Sequence, residues 1–124
     1  MGKKILIADD ELSIRELLKR ILTQAGYDLI FAEDGESAVK LAWKENPDLV
    51  LIDGLMPKMH GFLACQRIKA FDRPPKVIIL TAVYTKPSYR REVENAYSAD
   101  DLVLKPFAVA ELLACIDKHL PRDI

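Results

Sequence analysis

"LVLIDGLMPKMHG", Leu49 to Gly61, carries a run of apolar residues into Asp53 and then breaks into a segment holding Met56-Pro57 and Gly61. A nearly continuous aliphatic run of this length is the signature of a parallel strand covered on both faces. A carboxylate at the end of such a run is costly unless it has a partner or a task. Asp53 is therefore the residue to explain.

Working outward, four comparable runs flank this one: "KKILIA" (Lys3 to Ala8), "YDLIFA" (Tyr27 to Ala32), "KVIIL" (Lys76 to Leu80) and "DLVLK" (Asp101 to Lys105). The central run itself starts at Asp48, and "YDLIFA", the most mixed of the set, suits a sheet edge. Between the runs lie helical patterns. Ile14, Leu17, Leu18, Ile21 and Ala25 follow helical spacing, with Gly26 as a stop. Asp34 and Ser37 open a second helix, which Pro47 forbids from continuing. Phe62, Cys65 and Ile68 mark a third, ended before Pro74-Pro75. Lys86 to Tyr97 is a weaker, charge-rich fourth, with Tyr89, Val93 and Ala96 as its apolar side. Val109, Leu112, Leu113, Ile116 and Leu120 make a fifth, stopped by Pro121. Strict alternation with short connections predicts right-handed crossovers and a doubly wound α/β fold, with a parallel sheet of five strands and helices on both faces.

The 124 residues suit a single domain, 1–124, and half of them are hydrophobic, the balance of an ordinary globular protein. Eighteen Lys and Arg against nineteen Asp and Glu leave a formal charge of -1, which offers no electrostatic footprint for nucleic acid. The amino terminus "MGKKILIADDE" has too few apolar residues for a signal peptide or a membrane span, and Leu6 stands where a myristoylation motif needs Ser or Thr. A cytoplasmic protein without membrane contact is the expectation. Cys65 and Cys115, without a CxxC, read as reduced thiols serving as small hydrophobes rather than as a disulfide or a metal site.

In an open parallel sheet, ligands bind beyond the carboxyl ends of the strands. Just there stand Asp9, Asp10 and Glu11 after the first run, Asp53 after the third, Thr81 after the fourth, and Lys105 with Pro106 at the end of the fifth. Glu11 suits a helix N-terminus, where its charge complements the dipole. For Asp9, Asp10 and Asp53 together that explanation is weak, because unit charges about 4 Å apart repel by roughly 1 to 4 kcal/mol per pair at surface-like dielectrics. Such a trio wants a hard divalent cation, and Mg²⁺ is preferred because it retains waters and joins phosphate to carboxylate. A metal and an ammonium to absorb charge, a hydroxyl donor and an attacking carboxylate are the parts of phosphoryl transfer.

With "ILIADDE", "DGLMPKMHG", "ILTA" and "LKPF" in this order and spacing, the whole chain resembles the receiver domain of two-component response regulators. The resemblance implies a flavodoxin-like strand order 2-1-3-4-5. It implies that Asp53 accepts a phosphoryl group from a phosphohistidine on a sensor histidine kinase or phosphotransfer protein. Asp10, Asp53 and the backbone carbonyl of Leu55 would hold Mg²⁺, with Asp9 acting through bound water. Lys105 would contact the acceptor carboxylate and the phosphoryl group, Thr81 would swing to bond a phosphoryl oxygen, and Pro106 matches the family's cis-proline. The fourth helix, fifth strand and fifth helix would present the face for a downstream effector, with Tyr89, Arg90, Arg91 and Tyr97 on it. The protein would not be an enzyme beyond its self-catalysed phosphorylation and dephosphorylation.

Four positions and the length of one stretch depart from the family pattern. Leu102 replaces the Tyr or Phe that serves as a switch with Thr81, His60 replaces an Asp or Asn before Gly61, Ser98 replaces a glycine, the stretch from Thr81 to Lys105 is slightly long, and Ala108 is a poor cap for the last helix. Leu55 and Val83 offer no side chain to orient an attacking water, which predicts a long-lived phosphorylated state. The alternatives are a receiver-like scaffold that no longer accepts phosphate and a haloacid-dehalogenase-type phosphatase, although Asp53 lacks the latter's second acid two residues on. A flavodoxin is disfavoured, because Asp9-Asp10-Glu11 would repel its phosphate, and no Walker loop is present.

Overall fold

The computed structural model describes residues 2–82 and 89–121, apart from the side chains of Tyr89 and Arg90. Strands and helices alternate throughout: β1 Lys4–Ala8, α1 Leu12–Gln24, β2 Asp28–Ala32, α2 Gly35–Glu45, β3 Leu49–Asp53, α3 Gly61–Lys69, β4 Lys76–Thr81, α4 Tyr89–Tyr97, β5 Asp101–Leu104 and α5 Val109–His119. The strands form one parallel sheet in the order β2-β1-β3-β4-β5, so the mixed run "DLIFA" does lie at an edge. Register aligns Ala8 with Ile52, Asp53 with Leu80 and Thr81 with Leu104, which brings the carboxyl ends of four strands to one rim.

Alternate residues of the strands feed two separate cores. Leu6, Val50, Ile52, Ile79 and Leu102 face α2, α3 and α4, whereas Ile5, Ile7, Leu51, Ile78 and Val103 face α1 and α5. Every residue of β3 is buried, which explains a strand without polar alternation. Truncating a central member such as Leu51 to Ala would cost about 2–5 kcal/mol.

Local signals account for the boundaries. Asp34 caps α2, its carboxylate accepting the Ser37 N–H at 2.7 Å. Asn46 closes α2 in the left-handed region, at φ 56°, just before Pro47. Gly26 ends α1 at φ 95°, a conformation glycine adopts at little cost. Ser98 adopts φ 62°, a physical reason why glycine suits that position. Ala108 caps α5 with no side-chain bond, as its methyl group dictates. His60, where the family pattern has Asp or Asn, caps α3, its Nδ1 accepting the Leu63 N–H at 3.1 Å.

Some expectations are corrected. In α4, Val93 is buried but Ala96 is exposed. Tyr97 is half-buried and packs on the core, its ring 5.3 Å from that of Phe62. Residues 86–88, and with them the expected start of α4, lie outside the described residues, as do Val83 and the side chains of Tyr89 and Arg90. Cys65 is a buried thiol, as expected, its Sγ 3.5 Å from the Tyr97 carbonyl, and burial pushes its pKa up to about 12. Cys115 does not stand alone: its sulfur lies within 4.8 Å of donor atoms of Asp101 and His119. At the far rim of the sheet, Trp43 near the end of α2 is 70% exposed and meets Phe71 edge-on at 5.2 Å.

Candidate functional site

The rim at the carboxyl ends of β1, β3, β4 and β5 collects the predicted residues. Asp9 follows β1 and is 1% exposed. Asp53 ends β3 at 7%, Thr81 ends β4 fully buried, and Lys105 follows β5. Oxygen atoms of Asp9, Asp10 and Asp53 all lie within 4.8 Å of one another. Asp10, exposed, forms the open side of the cluster. The Lys105 ammonium sits 2.9 Å from Asp9 Oδ2 and 3.5 Å from Asp53 Oδ2. Among the described residues, Asp9 and Asp53 therefore share the Lys105 ammonium, with the Asp10 carboxylate close by.

The backbone sets this geometry. Asp9 folds back on its own loop, Oδ1 accepting the Glu11 N–H at 2.9 Å, while the Arg15 guanidinium donates to the Asp9 carbonyl at 2.7 Å. Glu11 thus contributes a backbone donor at the start of α1, and its side chain makes no capping bond. The Leu55 N–H donates to Asp53 Oδ1 at 3.3 Å, and the Leu55 side chain points out, 56% exposed. The Lys105 N–H donates to the Thr81 carbonyl at 2.8 Å, tying the β4 and β5 ends together. The Lys105–Pro106 bond is cis. Gly54 and Gly61 are needed for close approach: a Cβ on Gly61 would collide with the Asp53 carbonyl, and one on Gly54 with the Phe62 ring beside the Thr81 hydroxyl.

Electrostatics follow from burial and charge count. Burial is the largest influence on Asp53 and pushes its pKa above 3.8, and the Asp9 charge adds to it. Lys105 and the Leu55 N–H pull the other way without prevailing. For Lys105, burial favours the neutral amine, but the hydrogen bond and charge of Asp9 and the charge of Asp53 outweigh it and raise the pKa above 10.5. Asp53 is thus a carboxylate held at a cost, with room nearby for positive charge.

The family model described as "Response regulator receiver domain" matches residues 5–117. The chain belongs to that family. Among curated relatives, the "Probable transcriptional regulator ycf27" of Galdieria sulphuraria is 45% identical over 120 residues, covering 97% of this chain and 46% of the relative. The "Alkaline phosphatase synthesis transcriptional regulatory protein PhoP" of Bacillus subtilis is 38% identical over 123 residues, covering 99% of this chain and 50% of that protein. The receiver thus spans about half the length of the curated relatives it matches. Among solved structures, the response regulator protein TrrA of Thermotoga maritima, in complex with Mg²⁺-BeF, superposes with a TM-score of 0.82 at 39% identity, covering 95% of this chain and 99% of that one. This protein is therefore a receiver domain of two-component signalling, a family typically phosphorylated on aspartate and not one of classical enzymes.

Leu102 stands apart from the acidic rim. It is 1% exposed, on the sheet face packed by α2, α3 and α4, in the same core as Phe62 and Val93. Sequence reasoning took Phe62 only as an apolar helix residue and Tyr97 as part of an exposed face, and passed over Arg15 and Lys58. Lys58, at φ 68°, reaches Asp34 at 3.8 Å and pins the loop after β3 to the cap of α2. An aromatic directly after Gly61 was the available signal for Phe62. None marked Arg15, whose bond is to a backbone atom.

Proposed function

We propose that Asp53 is the phosphoacceptor of this receiver, taking a phosphoryl group from a phosphohistidine on a sensor histidine kinase or phosphotransfer protein. The observation that carries this reading is the buried Asp53 carboxylate with the Lys105 ammonium at 3.5 Å and the Asp9 and Asp10 oxygens within 4.8 Å. A carboxylate oxygen of Asp53 attacks phosphorus as the P–N bond breaks, and the electron pair leaves on the imidazole nitrogen. The product is an acyl phosphate. Lys105, already bonded to Asp9, is positioned to take up charge on the transferred group, and the Thr81 hydroxyl to donate to one of its oxygens.

The all-oxygen donor set fits a hard divalent ion, in keeping with a family that binds Mg²⁺. Asp10, Asp53 and the Leu55 carbonyl would hold Mg²⁺, with Asp9 through water, and the ion would neutralise phosphoryl charge. Thr81 and Leu102 then form the switch, which shifts a pre-existing equilibrium of the loop after β4 and of α4. The output goes through the α4-β5-α5 face to an effector domain or partner protein, in the cytoplasm, without nucleic-acid or membrane contact by residues 1–124 as one domain. Supporting this, the net charge is -1 and no described helix is long and apolar enough to cross a membrane. The exposed apolar Leu55 supports slow hydrolysis of the acyl phosphate.

Incubation with phosphoramidate and Mg²⁺, followed by intact mass measurement, tests the reading. One phosphoryl adduct, absent in Asp53→Asn, is expected. No adduct on the wild type would leave a receiver-like scaffold, and turnover of many phosphomonoesters would mean a phosphatase.

A further inference from the structure

A second group of metal-competent side chains lies away from the acidic rim, where α5 packs on the start of β5. His119 Nε2 is 2.9 Å from Asp101 Oδ2, and the Cys115 sulfur completes a set whose donor atoms all lie within 4.8 Å of one another. Cys115 and His119 stand one helical turn apart, so their side chains share a face of α5. Asp101 comes from β5, on the same side of the sheet as Val103, which packs against α5. Asp101 is 4% exposed, and the His119 side chain 14%. A cavity of about 160 Å³ adjoins the group, lined by Asp101, Cys115 and Glu111 among others. That volume exceeds several times the roughly 30 Å³ share of one water.

We propose that Asp101, Cys115 and His119 form a binding site for Zn²⁺ or a similar borderline-soft divalent ion. The chemistry of the donors selects the metal. Imidazole, thiolate and carboxylate together suit tetrahedral Zn²⁺, with three protein ligands and an open fourth position. The cavity leaves that position to water or to the Glu111 carboxylate, one turn before Cys115 on the same face. Mg²⁺ prefers oxygen alone, so the two clusters of this chain sort two ions by hardness. Binding replaces the His119–Asp101 hydrogen bond by two bonds to one ion: the Nε2 proton is exchanged through solvent for one on Nδ1, or leaves the imidazolium for solvent, and the Cys115 thiol releases its proton to solvent as it becomes a ligand. Lys118, 3.8 Å from Asp101 Oδ2 on a largely exposed side chain, can swing away as the metal takes over its role. Because one donor is on β5 and two are on α5, the ion fastens the strand that carries Leu102 to the last helix. The site needs nothing from the acidic rim.

The test uses the tag-free chain in millimolar Mg²⁺, titrated with Zn²⁺ against a chromophoric chelator and with Co²⁺ as a spectroscopic probe. One ion per chain is expected, with thiolate-to-Co²⁺ charge-transfer absorption and an upward shift in Tm. Cys115→Ser leaves the His119–Asp101 pair intact, so it folds. It should abolish the charge-transfer band and weaken Zn²⁺ binding by at least the ~10–100-fold that loss of an outer-shell partner costs. Cys65→Ala and Asp53→Asn should keep band and stoichiometry. Binding that survives Cys115→Ser unchanged, Co²⁺ bound without thiolate absorption, or no binding at all would overturn the assignment and leave the Asp101–His119 contact as a structural tie between β5 and α5.

Discussion

Asp53 and Asp101 are both buried aspartates in one sheet, at opposite ends of their strands, and their surroundings solve the same problem differently. Asp53 closes β3 beside two further carboxylates with, among the described residues, only the Lys105 ammonium against it, and burial together with the Asp9 charge holds its pKa above 3.8. Asp101 opens β5 where, among the described residues, His119 and Lys118 approach its carboxylate and the Cys115 sulfur stands close by. An all-oxygen set short of cations suits a hard ion, whereas a mixed nitrogen, sulfur and oxygen set beside a lysine can tie the fold together until a softer ion displaces its contacts. The contrast separates a place kept in want of charge from one that an ion enters only by displacing contacts already made.

The largest effect that bears on this contrast is the complete loss of phosphoryl adduct in Asp53→Asn, read by intact mass, with Asp101→Asn retaining the adduct. Next, Lys105→Met removes the cation that faces the transferred group and should slow phosphorylation by phosphoramidate about a hundredfold, in line with loss of one preorganised charge-stabilising donor. An unchanged rate in Lys105→Met would show that the ammonium serves Asp9 alone.

Stability against pH sharpens the comparison further. A carboxyl whose pKa is raised by folding makes the native state bind protons more tightly, so stability falls as pH rises from 3.8 through the raised value. Asp53→Asn removes that loss and should raise Tm at pH 7 while changing little below pH 3.8. Asp34 behaves with the opposite sign. Its pKa is lowered, chiefly by the Ser37 N–H, so its contribution is present above 3.8 and lost as pH falls through the folded value. Asp34→Ala should cost about 1 kcal/mol at neutral pH, a few degrees in Tm, and progressively less in acid. The smallest expected effect is kinetic: Leu55→Asn should hasten decay of the acyl phosphate, and faster loss of label in the wild type would reverse the role given to that side chain.

The acidic rim was readable in the sequence because parallel alternation forces the ends of the runs to one side, and Asp9, Asp10, Asp53, Thr81 and Lys105 all stand immediately after runs. Strand identities, the edge position of "DLIFA" and the caps at Asp34 and Ala108 followed from equally local signals. What escaped depends on how elements dock. Cys115 and His119 are ordinary residues of an amphipathic helix until α5 settles on β5 and brings Asp101 to them. Tyr97 reads as a surface aromatic on a charged helix, and only its packing on Phe62 leaves it half-buried. His60 escaped because imidazole is an unusual cap, and its bond to the Leu63 N–H forms only once α3 starts at Gly61.

Trp43, the sole tryptophan, stands largely exposed against Phe71 at the rim opposite the carboxylates. Its emission is therefore a gauge of whether α2 and the end of α3 stay together, and it is blind to what Asp53 carries. For anyone following this receiver in a cuvette, an unvarying signal would mean an intact scaffold and nothing about signalling, so a reporter for the event itself has to be installed near Phe62.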